Sequence, residues 1–353
     1  MSGNSFGQAF SITTFGESHG GAVGVVVDGV TPGIPLSEAD IQVQLDRRKP
    51  GQSSITTPRK EPDTAHILSG VFEGQTTGTP IMVILYNSDA DPSAYDDIKD
   101  KFRPGHADYT YLQKYGIRDW RGSGRASGRE TAGRVAAGAI ARKILDNLGV
   151  SIIAYTKRSA GIECERYEPD EIERNPLRAC DPDAAARMLA KIEQIKETED
   201  SVGGVIECRV TGVSAGIGEP VFDKLDASLA HGMLSIGSVK GIEFGAGFAA
   251  AEMTGSGHND EMSARGFTTN NAGGIIGGIA NGDEILFRVA VKPTSSISRE
   301  QQTIDIAGNE RTIRTEGRHD ACICPRIVPV VEAMAALVLV DHYKRQHAMR
   351  YGR

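Results

Sequence analysis

Three histidines of this chain lie in short polar segments whose composition suits proton transfer. His19 lies in "GESHG", His106 lies in "FRPGH", and His319 precedes Asp320 in "GRHDAC". The imidazole group titrates near neutral pH and serves as a general acid or base. A single loop histidine is usually an ordinary surface residue, so the repetition of such segments is what favours one shared site.

The strongest sign of ligand chemistry is a helix start crowded with arginines, in "IRDWRGSGRASGRETAGRVAAGA". Ser127 and Glu130 have the spacing of a capping box, and the apolar residues after them recur at helical intervals, which predicts a helix over 128–148. A helix N-terminus attracts anions, and a guanidinium fork binds phosphate or carboxylate bidentately. The pattern therefore predicts an anion site, although a solvated basic face paired to Asp119 and Glu130 would show the same residues. The arginines concerned are Arg118, Arg121, Arg125, Arg129 and Arg134.

Further segments could bind phosphate, and each has an ordinary alternative. "LDRRKPG" places Arg47 and Arg48 at the end of a helix predicted over 37–48, where cations also complement the helix dipole. For this segment taken alone, the dipole interpretation is preferred. "KPTSS" offers the Lys292 ammonium, two hydroxyls near its end and backbone donors, or simply an exit from a strand. The glycine pairs of "NNAGGIIGGIANG" would let the backbone approach a ligand closely, but they do not form a dinucleotide-binding fingerprint.

The elements that must position these groups form a mixed set of helices and strands. Ser37 and Pro182 mark helix starts, and Gly149 marks a helix end. The order lacks a regular alternation of strand and helix, which disfavours a doubly wound sheet or a barrel. The predicted strands are 6–14, 22–28, 80–86, 151–155, 204–210, 239–244 and 284–291, the predicted helices are 37–48, 128–148, 182–198, 223–235 and 326–345, and 87–124 is predicted to be rich in loops.

Composition argues against several classes of protein. The 353 residues carry 39 Lys and Arg against 46 Asp and Glu, a net charge of −7, so the chain as a whole is not attracted to nucleic acid or to an anionic membrane. No stretch reaches the roughly 20 apolar residues of a membrane span, and the first residues lack a signal-peptide pattern. Five scattered cysteines predict free thiols in a reducing cytoplasm, without a cluster that has metal-ligand spacing.

A series of motifs spans nearly the whole chain and identifies a family. They are "TTFGESHG", "DGVTPGIPL", "LDRRKPG", "FRPGHADYTYLQKYGIRDWRGSGRASGRETAGRVAAGA", "KGIEFG", "NNAGGIIGGIANG", "KPTSSI" and "GRHDACICPR". Together, and in this order, they closely resemble the chorismate synthases. The resemblance implies an α+β fold over 1–353, a single β–α–β sandwich domain with helices packed between antiparallel sheets, assembled as a homotetramer.

The resemblance also implies a reaction. In this family, 5-enolpyruvylshikimate 3-phosphate loses phosphate in a 1,4-elimination that gives chorismate, the last common step toward the aromatic amino acids. The reaction requires reduced FMN although it has no net redox change. NADPH is one source of the reducing equivalents, and the lack of an added domain favours an external reductant over self-reduction. No metal, nucleic acid or membrane is expected as a partner.

Site residues carry over to this chain where its motifs match those of the family. By this resemblance, His19 protonates the leaving phosphate, His106 protonates the reduced flavin, and Asp320 helps flavin N5 to act as a base. Arg48 and Arg134 would face the anionic groups of the substrate. The positions expected to bind FMN are Arg125, Ala126, Ser127, Gly237, Ser238, Gly277, Lys292, Pro293, Thr294, Ser295, Ser296 and Arg318.

Two positions depart from the usual pattern of the family. Many relatives have Arg where this chain has Ser54, so one anion contact would be missing or supplied elsewhere. Ala126 stands where Ser is frequent. A backbone contact to FMN would survive that change, whereas a hydroxyl contact would not.

Two rival functions stay open on the sequence. A nicotinamide-linked flavin oxidoreductase acting on a phosphorylated acid would consume one reductant for each product. A non-enzymatic module that binds RNA or polyphosphate would lose affinity steeply with salt and would hold no flavin. The acidic net charge and the single Trp count against nucleic acid.

Overall fold

The computed structural model describes residues 3–351 except 58, 60, 90 and 316–318. The strands in this part are β1 Ser5–Phe6, β2 Ser11–Gly16, β3 Ala22–Asp28, β4 His66–Ile67, β5 Val71–Phe72, β6 Gln75–Thr76, β7 Ile81–Tyr86, β8 Ser151–Ser159, β9 Ile162–Glu163, β10 Gly204–Thr211, β11 Val239–Phe244, β12 Met262–Ser263, β13 Gly266–Phe267, β14 Ile275–Ile276, β15 Ile279–Ala280, β16 Ile285–Val291, β17 Gln301–Ile304 and β18 Glu310–Ile313. The α-helices are α1 Glu38–Arg48, α2 Asp108–Tyr115, α3 Thr131–Asp146, α4 Pro182–Glu197, α5 Leu225–Leu234, α6 Gly255–His258 and α7 Cys324–Arg350.

Two five-stranded sheets form the outer layers. The first has the strand order β1-β2-β3-β7-β4 and the second has the order β11-β16-β10-β8-β9, and every pair in both is antiparallel. Side chains alternate between the two faces of a strand, so each sheet presents one apolar face. Val23, Val25 and Val27 of β3 are buried in this way, as are Ile206 and Val210 of β10.

The helices pack between these two apolar faces. α3 packs on β3 and β7 of the first sheet, α7 packs on β8 and β10 of the second, and the two helices pack on each other. They approach closely because Gly138 has no side chain, since a Cβ there would lie 2.4 Å from the Cβ of Ala333. Glu332, which interrupts the most apolar run of the sequence, is buried in α7 and pairs with Arg47 at 2.5 Å and Arg142 at 3.3 Å.

The predicted α+β sandwich is confirmed, and so is the order of its main elements. α1, α3, α4, α5 and α7 lie where helices were predicted. Ser37 begins α1 as expected, and the Asp40 carboxylate accepts its backbone N–H at 2.8 Å. The amphipathic periods of α1 and α4 are long enough to specify those two helices locally.

The strand predicted over 6–14 is wrong, because β1 and β2 are separate strands. The backbone between them turns toward α7, where Asp341 Oδ1 accepts the N–H groups of Gln8 at 2.9 Å, Ala9 at 2.6 Å and Phe10 at 2.9 Å. Those donors are therefore not available to a sheet. Asp341 lies 333 residues from Gln8 in the chain, so no local sequence pattern could have revealed the break between β1 and β2.

Two other predictions needed correction near the arginine cluster. The region 87–124, predicted to be rich in loops, also contains α2 and a 3₁₀ turn at Pro92–Ile98. Ser127 does cap a helical turn, since its Oγ accepts the N–H of Arg129 at 3.2 Å. The reciprocal half of the capping box is missing, because the Glu130 carboxylate accepts the hydroxyl of Thr14 at 2.8 Å instead.

Three further properties of the described residues concern membrane spans, thiols and metal ligands. None of the helices in the described ranges has the length and apolar character that a membrane-spanning helix requires. All five cysteines are buried free thiols. Among the described residues, no group of His, Cys, Asp or Glu is arranged to hold a metal ion.

Candidate active site

A cavity of about 680 Å³ lies where several segments distant in sequence meet. Its wall includes the loop after β2, the turns that lead into α3, the segment after β16 and the start of α7. Each of these segments had been singled out in the sequence for its chemistry. The fold brings them to one space, which is what a shared site requires.

Most of the predicted site residues line this cavity. Gly277, at the turn between β14 and β15, and Pro293 do not line it. Arg318 lies outside the described residues. The predicted residues that line the cavity are His19, Arg48, His106, Arg125, Ala126, Ser127, Arg134, Gly237, Ser238, Lys292, Thr294, Ser295, Ser296 and Asp320.

His19 lies in the loop after β2, and neighbouring groups hold its ring. Its Nδ1 lies 3.0 Å from Ser18 Oγ, and the Tyr95 ring meets it edge-on with 5.3 Å between centroids. Gly122 has a φ of +68°, and a Cβ there would lie 2.3 Å from His19 Nδ1, so only glycine fits. Burial, followed by the charge of Arg59, lowers the pKa of His19. The neutral imidazole therefore predominates at pH 7 before a ligand binds.

His106 lies between a carboxylate and a hydroxyl. Its Nδ1 is 3.1 Å from Asp108 Oδ1 and its Nε2 is 2.9 Å from Ser123 Oγ. Burial opposes ionisation of Asp108, but the hydrogen bonds of Arg103 and His106 outweigh it and hold the pKa of Asp108 well below its usual range. An ionised carboxylate beside Nδ1 keeps the proton of neutral His106 on that nitrogen and leaves Nε2 as the acceptor. Burial lowers the pKa of His106 although Asp108 opposes this shift.

Asp320 lies just before α7 and is 7% exposed. Its Oδ1 accepts the backbone N–H of Thr57 at 2.9 Å, and its Oδ2 accepts a hydrogen bond from Arg326 Nη1 at 2.6 Å. Arg326 belongs to the first turn of α7 and also lines the cavity. These two contacts fix the carboxylate at the cavity wall.

Arg48 is buried in the cavity wall and does not lie on the surface of α1. It is 1% exposed, and burial lowers the pKa of its guanidinium to about 10, so it stays charged at neutral pH. It donates to Asp63 Oδ2 at 2.5 Å and to the Gly128 carbonyl at 3.2 Å. Its neighbour Arg47 pairs elsewhere, with Glu332, and does not line the cavity.

The arginines before α3 divide into two groups. Arg118 donates to the carbonyls of Lys99 and Lys101, and Arg121 pairs with Asp119 at the surface. Neither of these two arginines lines the cavity. The sequence therefore overestimated how many of the five face the ligand space. The three that line it are Arg125, Arg129 and Arg134.

The guanidinium groups that line the cavity are held by protein acceptors. Arg125 donates to the carbonyls of Thr14 and Gly16, both at 3.1 Å. Arg134 pairs with Glu130 at 2.9 Å. Such partners fix the orientation of long side chains before a ligand arrives, which reduces the ordering cost of binding.

The segment after β16 has side chains that suit a bound phosphate. The Lys292 ammonium lies 3.3 Å from the Gly105 carbonyl, and burial, followed by the charge of Lys240, lowers its pKa. Thr294 Oγ1 is a buried polar atom without a hydrogen-bond partner among the described residues, and the Ser296 side chain lines the cavity beside it. An ammonium, an orphaned hydroxyl and further hydroxyls form a donor set that fits a bound phosphate.

Ser54 and Ala126, the two residues that differ from the usual family pattern, lie in different surroundings. Ser54 does not line the cavity, and its Oγ donates to Glu193 at 3.2 Å. Ala126 does line the cavity, but its backbone N–H already donates to the Ser123 carbonyl at 2.9 Å. Ser54 therefore adds no cation to the cavity wall.

Sequence reasoning missed several residues of the wall. Arg59 and Glu61 belong to the charged segment "RKEPD", and Arg326 is an isolated charge at the start of an apolar helix. The charge of Arg326 was a visible signal, since a charge in an apolar run needs a partner or a ligand. Tyr95 and Arg103 gave no such signal, and only the fold brings them to the cavity.

Comparisons with known proteins agree on one family. The family model described as chorismate synthase matches residues 10–343. A chorismate synthase of Desulfosudis oleivorans is 55% identical over 354 residues, which is 100% of both chains, and one of Methanosarcina mazei is 55% identical over 98% of this chain and 97% of its own. A crystal structure of a chorismate synthase is 31% identical, covers 96% of this chain and 93% of its own, and superposes with a TM-score of 0.76.

Proposed function

Since the chain belongs to the chorismate synthase family, a family of carbon–oxygen lyases of the shikimate pathway, we propose that it makes chorismate by 1,4-elimination. The substrate would be 5-enolpyruvylshikimate 3-phosphate, and the second product would be inorganic phosphate. Reduced FMN would be required without being consumed.

The observation that carries this proposal is the charge of the cavity wall. Among the described residues, seven arginines and one lysine line the cavity against three carboxylates, although the chain as a whole has a net charge of −7. A substrate with one phosphate and two carboxylates, bound together with a phosphorylated flavin, would balance this excess. The lining carboxylates are Glu61, Glu130 and Asp320.

His19 would protonate the leaving phosphate. Its pKa is lowered by burial and by Arg59, so it must gain a proton before it can act as an acid. A phosphate dianion beside the ring would favour the imidazolium, because an opposite charge within hydrogen-bonding distance raises the pKa of histidine. Ser18, at 3.0 Å from Nδ1, would then hold the ring while Nε2 faces the ligand.

The residues that would hold FMN are those of the phosphate-suited segment and its neighbours. Lys292, Thr294 and Ser296 would bind the phosphate, and Gly237 with Ser238 would lie against another part of the cofactor. When bound, reduced FMN supplies electron density that assists loss of phosphate and of a ring hydrogen that is not acidic. Arg318 and Gly277 stay predictions as further contacts.

Two groups of the chain would move protons next to the flavin. Because Nε2 of neutral His106 carries no proton, His106 would first take one up there and then give it to the flavin, and the Asp108 carboxylate, 3.1 Å from Nδ1, would favour the intermediate imidazolium. Asp320 would help the flavin to remove the hydrogen of the substrate ring, by accepting that proton in turn. Arg326 and Thr57 hold that carboxylate in place, so its orientation does not depend on the ligand.

We also propose a single domain that assembles as a homotetramer in the cytoplasm. One continuous hydrophobic core joins residues of both sheets, which supports a single domain over 1–353. Phe222 is 93% exposed and Phe248 is 84% exposed, and large apolar side chains at such positions favour self-association. The five buried thiols suit a reducing compartment, and the reductant, with NADPH as its source, would come from another protein.

One anaerobic experiment tests the proposal. The purified protein would be incubated with reduced FMN in an amount far below that of the substrate, and phosphate and chorismate would be measured. We expect both products in equal amounts, many for each flavin, with the flavin spectrum still reduced at the end. Oxidation of one flavin for each product would instead indicate the oxidoreductase. Absence of both products together with salt-sensitive RNA binding would indicate the anion-binding module.

A further inference from the structure

A buried carboxylate lies behind the arginines of the cavity wall. Asp63 is 0% exposed and is not itself part of the wall. One of its oxygens accepts a hydrogen bond from Arg48 Nη2 at 2.5 Å, and the other accepts one from Arg129 Nη1. Both arginines line the cavity and are almost completely buried. Among the described residues, these two guanidinium groups link Asp63 to the cavity.

The charge of Asp63 is what allows the two arginines to lie together. Burial opposes its ionisation, but Arg48 and Arg129 outweigh that effect and lower the pKa of Asp63. Without it, two buried guanidinium groups would repel each other in a poorly solvated wall, and each would lack its principal acceptor. Asp63 also has a φ of +50°, a conformation uncommon outside glycine, so its carboxylate is placed at a local cost.

Each of the two arginines keeps a donor that makes no hydrogen bond within the described residues, although Arg129 Nη2 lies 3.7 Å from Glu61 Oε2. Arg48 Nε and Arg129 Nη2 are buried, and neither has a hydrogen-bond partner among the described residues. Buried donors are rarely left unpaired in a folded protein unless a ligand or an ion completes them. Asp63 accepts from one nitrogen of each guanidinium, and Arg48 Nε is the donor that is left for an anion.

We propose that Asp63 is a positioning residue for substrate capture, holding Arg48 and Arg129 in the orientation that binds an anionic group of the substrate. This inference rests on the proposed function for the identity of the substrate. It assigns Asp63 to the substrate side of the cavity and not to the flavin side, because Lys292 and Thr294 lie on a different segment of the wall.

The test is Asp63→Asn, which keeps the shape of the side chain, tolerates a positive φ and removes the charge. Calorimetric titration with 5-enolpyruvylshikimate 3-phosphate should show an affinity about 10- to 100-fold weaker than wild type, the loss expected for a misplaced charged hydrogen bond. The affinity for FMN should stay within about twofold. In turnover, KM should rise by much more than kcat falls, a split that general damage to the fold would not give.

Glu207→Gln is the matched control. Glu207 is 3% exposed, pairs with Arg288 at 2.6 Å and Arg209 at 3.5 Å, and does not line the cavity. The Glu207→Gln variant should have a lower melting temperature than wild type and an unchanged KM for the substrate. Unchanged substrate affinity in Asp63→Asn would overturn the proposal, and so would equal losses of substrate and FMN affinity.

A second variant, Asp63→Glu, tests the proposal if Asp63→Asn does not fold. Asp63→Glu keeps the charge but shifts the carboxylate by one methylene, and it too should weaken substrate more than FMN. Loss of the fold in both variants, judged by circular dichroism, would assign Asp63 to stability alone and overturn the inference. Because titration does not require turnover, a wild type that binds the substrate but makes no chorismate would reject the proposed function and leave the Asp63 result standing.

Discussion

Arg48→Ala gives the sharpest test of the role of the cavity arginines. Loss of the Arg48 guanidinium should weaken substrate binding, and loss of its ion pair with Asp63 should lower the stability of the fold. The variant removes the guanidinium that donates to Asp63 at 2.5 Å and to the Gly128 carbonyl. It leaves Asp63, which is 0% exposed, with Arg129 as its remaining close partner. Breaking a buried ion pair typically costs about 3–5 kcal/mol, and the remaining partner places this case near 3 kcal/mol.

That cost can be converted into a melting temperature. Unfolding entropy is about 2.1 cal/mol/K for each residue, so the 353 residues of this chain give about 0.74 kcal/mol/K. A loss of 3 kcal/mol then lowers the melting temperature by about 4 °C. The variant should therefore fold at 25 °C, and substrate affinity, measured by calorimetric titration, should fall about 10- to 100-fold while FMN affinity is kept.

A double variant separates the ion pair from simple loss of packing. In Arg48→Ala with Asp63→Asn, no buried carboxylate has lost one of its two partners, so the double variant should be more stable than the sum of the two single changes predicts, by at least about 1 kcal/mol. Scanning calorimetry on all four proteins measures this difference. Additive losses would refute the reasoning, and unchanged substrate affinity in Arg48→Ala would remove Arg48 from the substrate site.

Four further outcomes are expected. His19→Ala and His106→Ala should each lower kcat by about 10²–10⁴-fold with FMN affinity unchanged, once circular dichroism has shown both to be folded; wild-type rates would reject their roles. Lys292→Ala should weaken FMN by about 10- to 100-fold and leave substrate affinity intact in the same titrations. Asp320→Asn should bind both ligands nearly normally and turn over slowly, and undiminished turnover would remove Asp320 from the transfer of the ring proton. The lowered pKa values of His19 and His106 mean that the unfolded chain binds more protons below pH 6.5, so the melting temperature should fall as the pH drops from 7.5 to 5.5, and less in the double His→Gln variant.

Local signals predicted the parts of the fold that depend on local physics. The helix over 37–48 follows from Ser37, Asp40 and an apolar period, and the structure places α1 at Glu38–Arg48. Likewise, the apolar pattern over 22–28 predicts a strand from local sequence alone, and the structure places β3 there. The prediction of a strand over 6–14 failed because it depends on a distant partner. The Asp341 carboxylate accepts the backbone N–H groups of residues 8–10, which are then not available to the sheet.

The candidate site shows the same division between local and distant causes. Ser127 and the arginines around it predicted an anion site, but the sequence could not tell Arg129, whose partner is Asp63, from Arg121, whose partner is Asp119 at the surface. Both are arginines in one glycine-rich stretch. Only the path of the chain decides which acceptor each one reaches.

The partners of these arginines explain how an acidic protein can hold a strongly basic cavity. A wall of guanidinium groups alone would repel itself and would cost several kcal/mol for each buried charge. Here the segment 59–63 supplies two carboxylates, in which Glu61 accepts from Arg59 and Asp63 accepts from Arg48 and Arg129. Three guanidiniums against two carboxylates leave one positive charge in excess at this side of the wall, so the cluster is stable enough to form and still attracts an anion. If this balance is right, removing either carboxylate should harm substrate capture more than removing one surface arginine such as Arg121.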